Sequence, residues 1–187
     1  MFLTAVIYPA RKNMGVYQEL KSPICSFDAK TGVLCSKCEA RLGAGDITQD
    51  DVDASIKLTR IAEKNQDVNK FTLLRGVRVN GDVVLVLRSP DVSVLRSNSS
   101  LSGRIESDFG QKVWFVESEA SDRRFIESLF HPIRVLSVNL FWLPDGSKLT
   151  KVIVSGNVSK SRFNVGKIQK IAKAVRNIEL IVEFEQK

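Results

Sequence analysis

A single histidine, three cysteines and two tryptophans make up the chain's supply of the rarer chemistry-bearing side chains. His131 stands before Pro132 with no evident acid–base partner, and no nucleophile elbow, phosphate loop or dinucleotide fingerprint appears, so an enzyme is not expected. His131 reads as a helix-end cap or packing group. No apolar run approaches the roughly 18–20 residues that cross a bilayer, which argues against a membrane partner. The opening Met1-Phe-Leu-Thr-Ala-Val-Ile-Tyr8 is apolar but short, lacks a basic segment before it and runs into Pro9, so it makes a poor signal peptide. The cysteines are odd in number and crowded between positions 25 and 38, which excludes a disulfide framework of the secreted kind and points to a reducing cytoplasm.

What the chain does have is one plan written twice. Phe71–Val79, the turn Asn80-Gly81 and Val83–Leu87 predict a hairpin; Arg134–Trp142, the turn Pro144-Asp145-Gly146 and Leu149–Val154 predict another. Asn-Gly and Pro-Asp-Gly accept the positive or preset φ that a tight reversal needs. Before the first hairpin, Val52, Ile56, Leu58, Ile61 and Ala62 recur at helical spacing over residues 48–66, with Asp50, Asp51 and Asp53 near the positive end. After it come a helix over Ser89–Leu95, a polar loop Arg96–Ser100, a helix over Leu101–Phe109 ended by Gly110, and a strand at Val113–Glu117. Behind the second hairpin stand a basic helix and a last strand over Ile178–Phe184 that would lie at a sheet edge. The expected class is α+β: two modules at 47–117 and 118–187, each a small mixed three-stranded sheet with helices packed on one face and a core of its own. A segment at 21–46 precedes them, behind a tail at 1–20 expected to be poorly ordered unless it docks. Trp114, Phe115, Phe141 and Trp142 fall on strands and are expected mostly in the core, although one of each adjacent pair points to the opposite face, where an outward Trp would stack on a base.

The net charge of +7 is unevenly spread. Residues 47–117 balance ten Lys/Arg with ten Asp/Glu, while 118–187 carry twelve against seven, so a cationic footprint should belong to the second module. Lys160, Arg162, Lys167, Lys170, Lys173 and Arg176 follow one another with no acid between them, opposite an apolar stripe of Val165, Ile168, Ala172 and Val175. Two readings of that one-signed face stand: phosphate contact, or plain solvation. In the N-terminal segment, Cys25-x-x-Asp28 and Cys35-x-x-Cys38 have the spacing of two knuckles joined through Gly32. Each knuckle sets two ligand atoms on one side of a turn, which is how small tetrahedral zinc sites are built. Here too two readings stand: one structural Zn²⁺ held by Cys25, Asp28, Cys35 and Cys38, or three reduced thiols in a decayed knuckle. No βαβ pattern leads into the pair, which disfavours redox use.

The knuckle, the Asp122-Arg-Arg-Phe-Ile-Glu-Ser-Leu129 helix with His131-Pro132 behind it, and the Leu143-Pro-Asp-Gly146 hairpin together resemble the archaeal KH-domain proteins similar to the transcription factor NusA, over residues 21–187. That likeness implies two tandem type-II KH-like modules and binding of single-stranded RNA, beside RNA polymerase or another RNA-processing or ribosomal complex. A KH domain clamps RNA with Gly-x-x-Gly, whose bare backbone approaches four nucleotides closely. The corresponding residues are Ser97, Asn98, Ser99 and Ser100, next to Arg96; the second module has Gly156-Asn-Val-Ser-Lys160. With the glycines missing, each Cβ holds RNA further off, although serine and asparagine still hydrogen-bond phosphate. The alternative is a KH-like protein–protein interaction module with a degenerate loop, serving as a subunit of a larger complex.

Overall fold

The computed structural model describes residues 19–156 and 164–185. Residues 1–18 of the expected tail, and the predicted contacts Lys160 and Arg162, lie outside the described residues. The tail's last two positions are anchored: Leu20 is buried in the first core, and Glu19 pairs with Lys30 at 2.7 Å. Next to them Lys21 forms a parallel bridge with Thr72. No described helix is long and apolar enough to cross a membrane.

Two short helices come first, α1 (Ser26–Thr31) and α2 (Ser36–Ala44), followed by α3 (Gln49–Lys64). Thr48 and Asp51 start α3 with a reciprocal capping box. The acids at its start do more than meet a helix dipole. Asp51 also accepts the Gly76 N–H at 2.8 Å, and Asp50 accepts the Arg78 N–H at 2.8 Å, so the helix end is tied to the first strand. The two elements meet there without room for a side chain: a Cβ on Gly76 would collide with the Ala54 methyl and come within 2.8 Å of the Asp50 carbonyl oxygen.

Strands β1 (Leu73–Val79) and β2 (Asp82–Leu87) pair antiparallel through Asn80 and Gly81, both at positive φ as the turn chemistry requires. Helices α4 (Ser89–Ser97) and α5 (Ser99–Phe109) follow, and β3 (Val113–Glu117) returns parallel to β2. The second unit repeats the scheme with α6 (Asp122–Phe130), β4 (Val135–Trp142), β5 (Lys148–Val154), α7 (Val165–Arg176) and β6 (Glu179–Phe184). Its sheet order is β4-β5-β6, again antiparallel then parallel, with β6 on an edge. The α+β class with two small mixed sheets is thus present.

The expectation of helices on one face and two separate cores needs correction. Every residue of β2 is buried. Val83, Leu85 and Leu87 enter a cluster beneath α3, α4 and α5, whereas Val84 points the other way, into a cluster with Phe125 and Ile126 of α6 and Ile168 and Ile171 of α7. The first sheet is therefore covered on both faces, as the apolar run Val83–Leu87 demands, and the second unit's core closes against it. Ile24, Ala29, Cys38, Ile47 and Val52 form a third, smaller cluster under α1 and α2.

Candidate metal centre and cationic surfaces

Cys25 and Cys35 occupy equivalent positions, each with extended backbone immediately before a helix, so each places its sulfur beside that helix's first turn. Asp28 and Cys38 project from those first turns. Gly32 ends α1 at φ 77°, a left-handed conformation that turns the chain back so that the start of α2 faces α1. As a result the three sulfurs and a carboxylate oxygen of Asp28 all lie within 4.8 Å of one another, and the four residues could hold a metal ion. Arg41 stabilises the approach by donating to the Pro23 carbonyl at 2.7 Å.

The electrostatics of this group suit a cation. Asp28 is fully buried, and its Oδ2 accepts the Cys35 N–H at 3.0 Å. Its Oδ1 is buried and accepts no hydrogen bond of normal geometry. The Asp28 pKa is lowered to about 2, first by the Cys35 N–H and then by the Cys38 thiol, with Cys35 and Cys25 adding to this against the cost of burial. At Cys38 the backbone of Cys25 pulls the pKa down, but the Asp28 carboxylate, burial and the Cys35 thiol outweigh it and push the thiol up to about 12. An ionised carboxylate beside the protonated Cys38 thiol leaves one of its oxygens unused, and a thiol is a weak donor. A bound cation reverses that arrangement, because coordination deprotonates a thiol.

The residues expected to meet RNA are placed less uniformly. Arg96 lies in the last turn of α4, and its guanidinium is committed to buried Glu117 at 3.2 Å, which also accepts from Ser89 and sits 3.6 Å from Arg124. The expected five-residue polar loop shrinks to one residue: Asn98 ends α4 and starts α5, accepting the Leu101 N–H at 3.0 Å. Ser97, Asn98, Ser99 and Ser100 are all exposed at this junction, and the Ser97 hydroxyl donates to the Val94 carbonyl.

On α7 the anticipated free cationic face is interrupted. Lys167 is partly buried and reaches Asp82 of the first sheet at 2.7 Å, while Lys173 pairs with Glu179 at 2.7 Å. Lys170 is exposed and has no ion pair among the described residues. Arg176 bonds Asp122 at 2.9 Å and the carbonyls of Glu117 and Ser118, and stacks 4.7 Å from the Phe125 ring. The acids absent from the helix are thus supplied by other elements. Sequence reasoning also missed the buried carboxylate of Asp82, which holds Lys167 and accepts from the Trp114 indole at 2.9 Å. A lone Asp opening an otherwise apolar strand was its available signal. A cleft of about 770 Å³ beside the start of α4 is lined in part by Lys21, Lys70 and Arg88.

The aromatic expectation fails for one pair. Trp114 and Phe115 are partly buried, but Phe141 is 47% and Trp142 65% exposed, because β4 and β5 run past the end of the core they share with α7.

No family model matches the chain. No curated protein matches it either. Among solved structures, one described as "Crystal structure of APE1850" is similar over 69% of this chain and 95% of that chain, with 14% sequence identity and a TM-score of 0.46.

Proposed function

We propose that the chain is an RNA-binding protein built of two KH-like modules and acting in the manner of NusA, in archaeal transcription elongation, termination or RNA processing. It works in the cytoplasm beside RNA polymerase or another RNA-processing or ribosomal complex. The observation that carries this reading is the order helix, strand, strand, helix, helix, strand at residues 49–117, with antiparallel and then parallel pairing. Its α4–α5 junction, the place where a KH domain holds RNA, is open to solvent at Ser97–Ser100. Without glycines that junction contributes hydrogen bonds rather than a tight clamp, so cations outside the internal ion pairs supply the rest: Lys170, Arg104 and Arg88.

Titration of labelled single-stranded RNA of mixed sequence at two salt concentrations tests the reading. Affinity should fall steeply with salt, and Lys170→Glu and Arg104→Glu should each weaken binding and shallow the log–log slope by roughly 0.7 per lost contact. These positions are chosen because charge reversal at Lys167 or Lys173 would break an internal pair as well. A flat salt profile overturns RNA binding. One observation favours the second reading, a protein–protein interaction module: Arg96, Lys167 and Lys173 are already occupied by carboxylates of the same chain.

Cys25, Asp28, Cys35 and Cys38 hold one structural Zn²⁺ in this reading, because a buried carboxylate oxygen without a hydrogen bond beside three thiols suits a borderline-soft ion with four protein ligands. Elemental analysis of protein purified without added metal should give about one zinc per chain. A stoichiometry near zero removes the ion from the proposal.

A further inference from the structure

We infer that the tip of the second hairpin is a stacking platform for unpaired bases of single-stranded RNA, with Trp142 as the ring a base covers and Lys148 as the phosphate contact; this rests on the RNA-binding reading. The core covers the far end of the β4–β5 hairpin, where Val152 and Val154 are fully buried, and stops short of its tip. Leu140 at 56%, Phe141 and Trp142 are exposed in succession. Register places the two rings on opposite faces: Trp142 lies opposite Lys148, and Phe141 opposite Leu149. The Lys148 ammonium sits 4.5 Å from the Trp142 ring centroid, so ring and cation form one unit.

The ring and cation together point to the partner that suits this patch. The tip's one acid, Asp145, is turned into the reversal, where it accepts the Ser147 N–H at 2.9 Å and the Ser147 hydroxyl at 2.7 Å. On the Phe141 face, Glu183 is neutralised by Lys151 at 2.8 Å. The Asp145 carboxylate keeps its charge, while Lys148 is the tip's one cation and has no ion pair among the described residues. An exposed indole beside a free cation is the pairing that single-strand binders use: the ring accepts any base by its π-face while the ammonium meets the backbone. Neither element depends on glycines at the α4–α5 junction, so the platform supplies a contact that junction cannot make.

The test uses the full chain and a short labelled single-stranded RNA of mixed sequence, alone and annealed to its complement. Trp142→Leu keeps the apolar bulk but removes the ring, and should weaken single-strand binding by about 5- to 150-fold, the range expected for one lost base stack. Trp142→Phe should lose less, Lys148→Gln should shallow the salt slope by about 0.7, and the duplex, whose base faces are hidden, should bind more weakly than the single strand. RNA should quench tryptophan emission in the parent but not the remaining Trp114 signal in Trp142→Leu. Because Trp142 is exposed, thermal melts of these variants should match the parent. If the parent binds RNA and Trp142→Leu binds equally well, the platform is refuted while RNA binding stands. If the parent binds no RNA, both fall. Self-association of the parent that Trp142→Leu abolishes without altering RNA affinity would make the tip an interface between copies and also refute the platform.

Discussion

Two side-chain positions hold the molecule together in ways their neighbours in sequence do not reveal. Asp82 is buried at the start of β2, where it holds Lys167 of α7 and accepts from the Trp114 indole of β3. Removing the carboxylate strands a partly buried ammonium and an indole N–H together, so Asp82→Ala should cost on the order of 2–3 kcal/mol in denaturant unfolding. A loss below about 0.5 kcal/mol, the level of an exposed pair, would show that the contact is merely superficial. Gly76 is constrained by space, since its missing side chain lets α3 touch β1. Gly76→Ala should destabilise by about 1–3 kcal/mol, because one of the obstructing atoms belongs to the Asp50 backbone and cannot rotate away. At the hairpin tip, the Ser147 hydroxyl and N–H hold the Asp145 carboxyl below its ordinary value. A depressed folded pKa stabilises above the unfolded value and loses that stabilisation as pH falls through the folded one. The Ser147 amide resonance should therefore titrate at a pH below that of a free aspartate; a midpoint at or above it would contradict the turn geometry.

Elements differed in how openly they could be read. Both hairpins were legible because their turns are local chemistry: Asn80, Gly81 and Gly146 all adopt positive φ where the residue types foretold it. The grouping of Cys25, Asp28, Cys35 and Cys38 was legible for the same reason, the four side chains being brought together by two short helices and one glycine reversal. The basic helix was not. Its own residues hold no acid, yet Asp82 and Glu179 reach it from strands, and only packing could say which lysines stay free. The aromatic pairs divide likewise, because a strand's pattern tells which residues share a face but not where the covering helix ends. If the knuckle holds zinc, a strong chelator should lower the thermal midpoint cooperatively and Cys38→Ser should reproduce that loss, since Cys38 is both a donor and a member of the small core. An unchanged midpoint on chelation would mean that the local core suffices without an ion.

At the scale of the whole chain, the second unit is built against the first. Val77, Val79, Val84 and Val116 give one face of the first sheet to the core of α6 and α7, and Arg176 fastens the connecting segment at the Glu117 and Ser118 carbonyls. A chain cut after Glu119 would expose that valine face, an apolar patch of the kind soluble monomers avoid. It should bind a hydrophobic dye and aggregate, whereas the intact chain should not; a soluble, dye-silent fragment would show that the first sheet tolerates an open face. The same joint bears on the proposed RNA binding, since the α4–α5 junction and the β4–β5 tip are then carried by one packed body.

Residue order alone determined the turns, the helical stripes, the strand alternation and the grouping of Cys25, Asp28, Cys35 and Cys38, because each depends on contacts or backbone preferences spanning a few positions. Tertiary structure alone decided which charges are spent, which face of β2 meets which helix and which aromatic rings remain in water. Those outcomes depend on distant groups, such as Lys167 and Asp82 bonded 85 residues apart, and no local pattern encodes where a distant carboxylate or the edge of a core will fall.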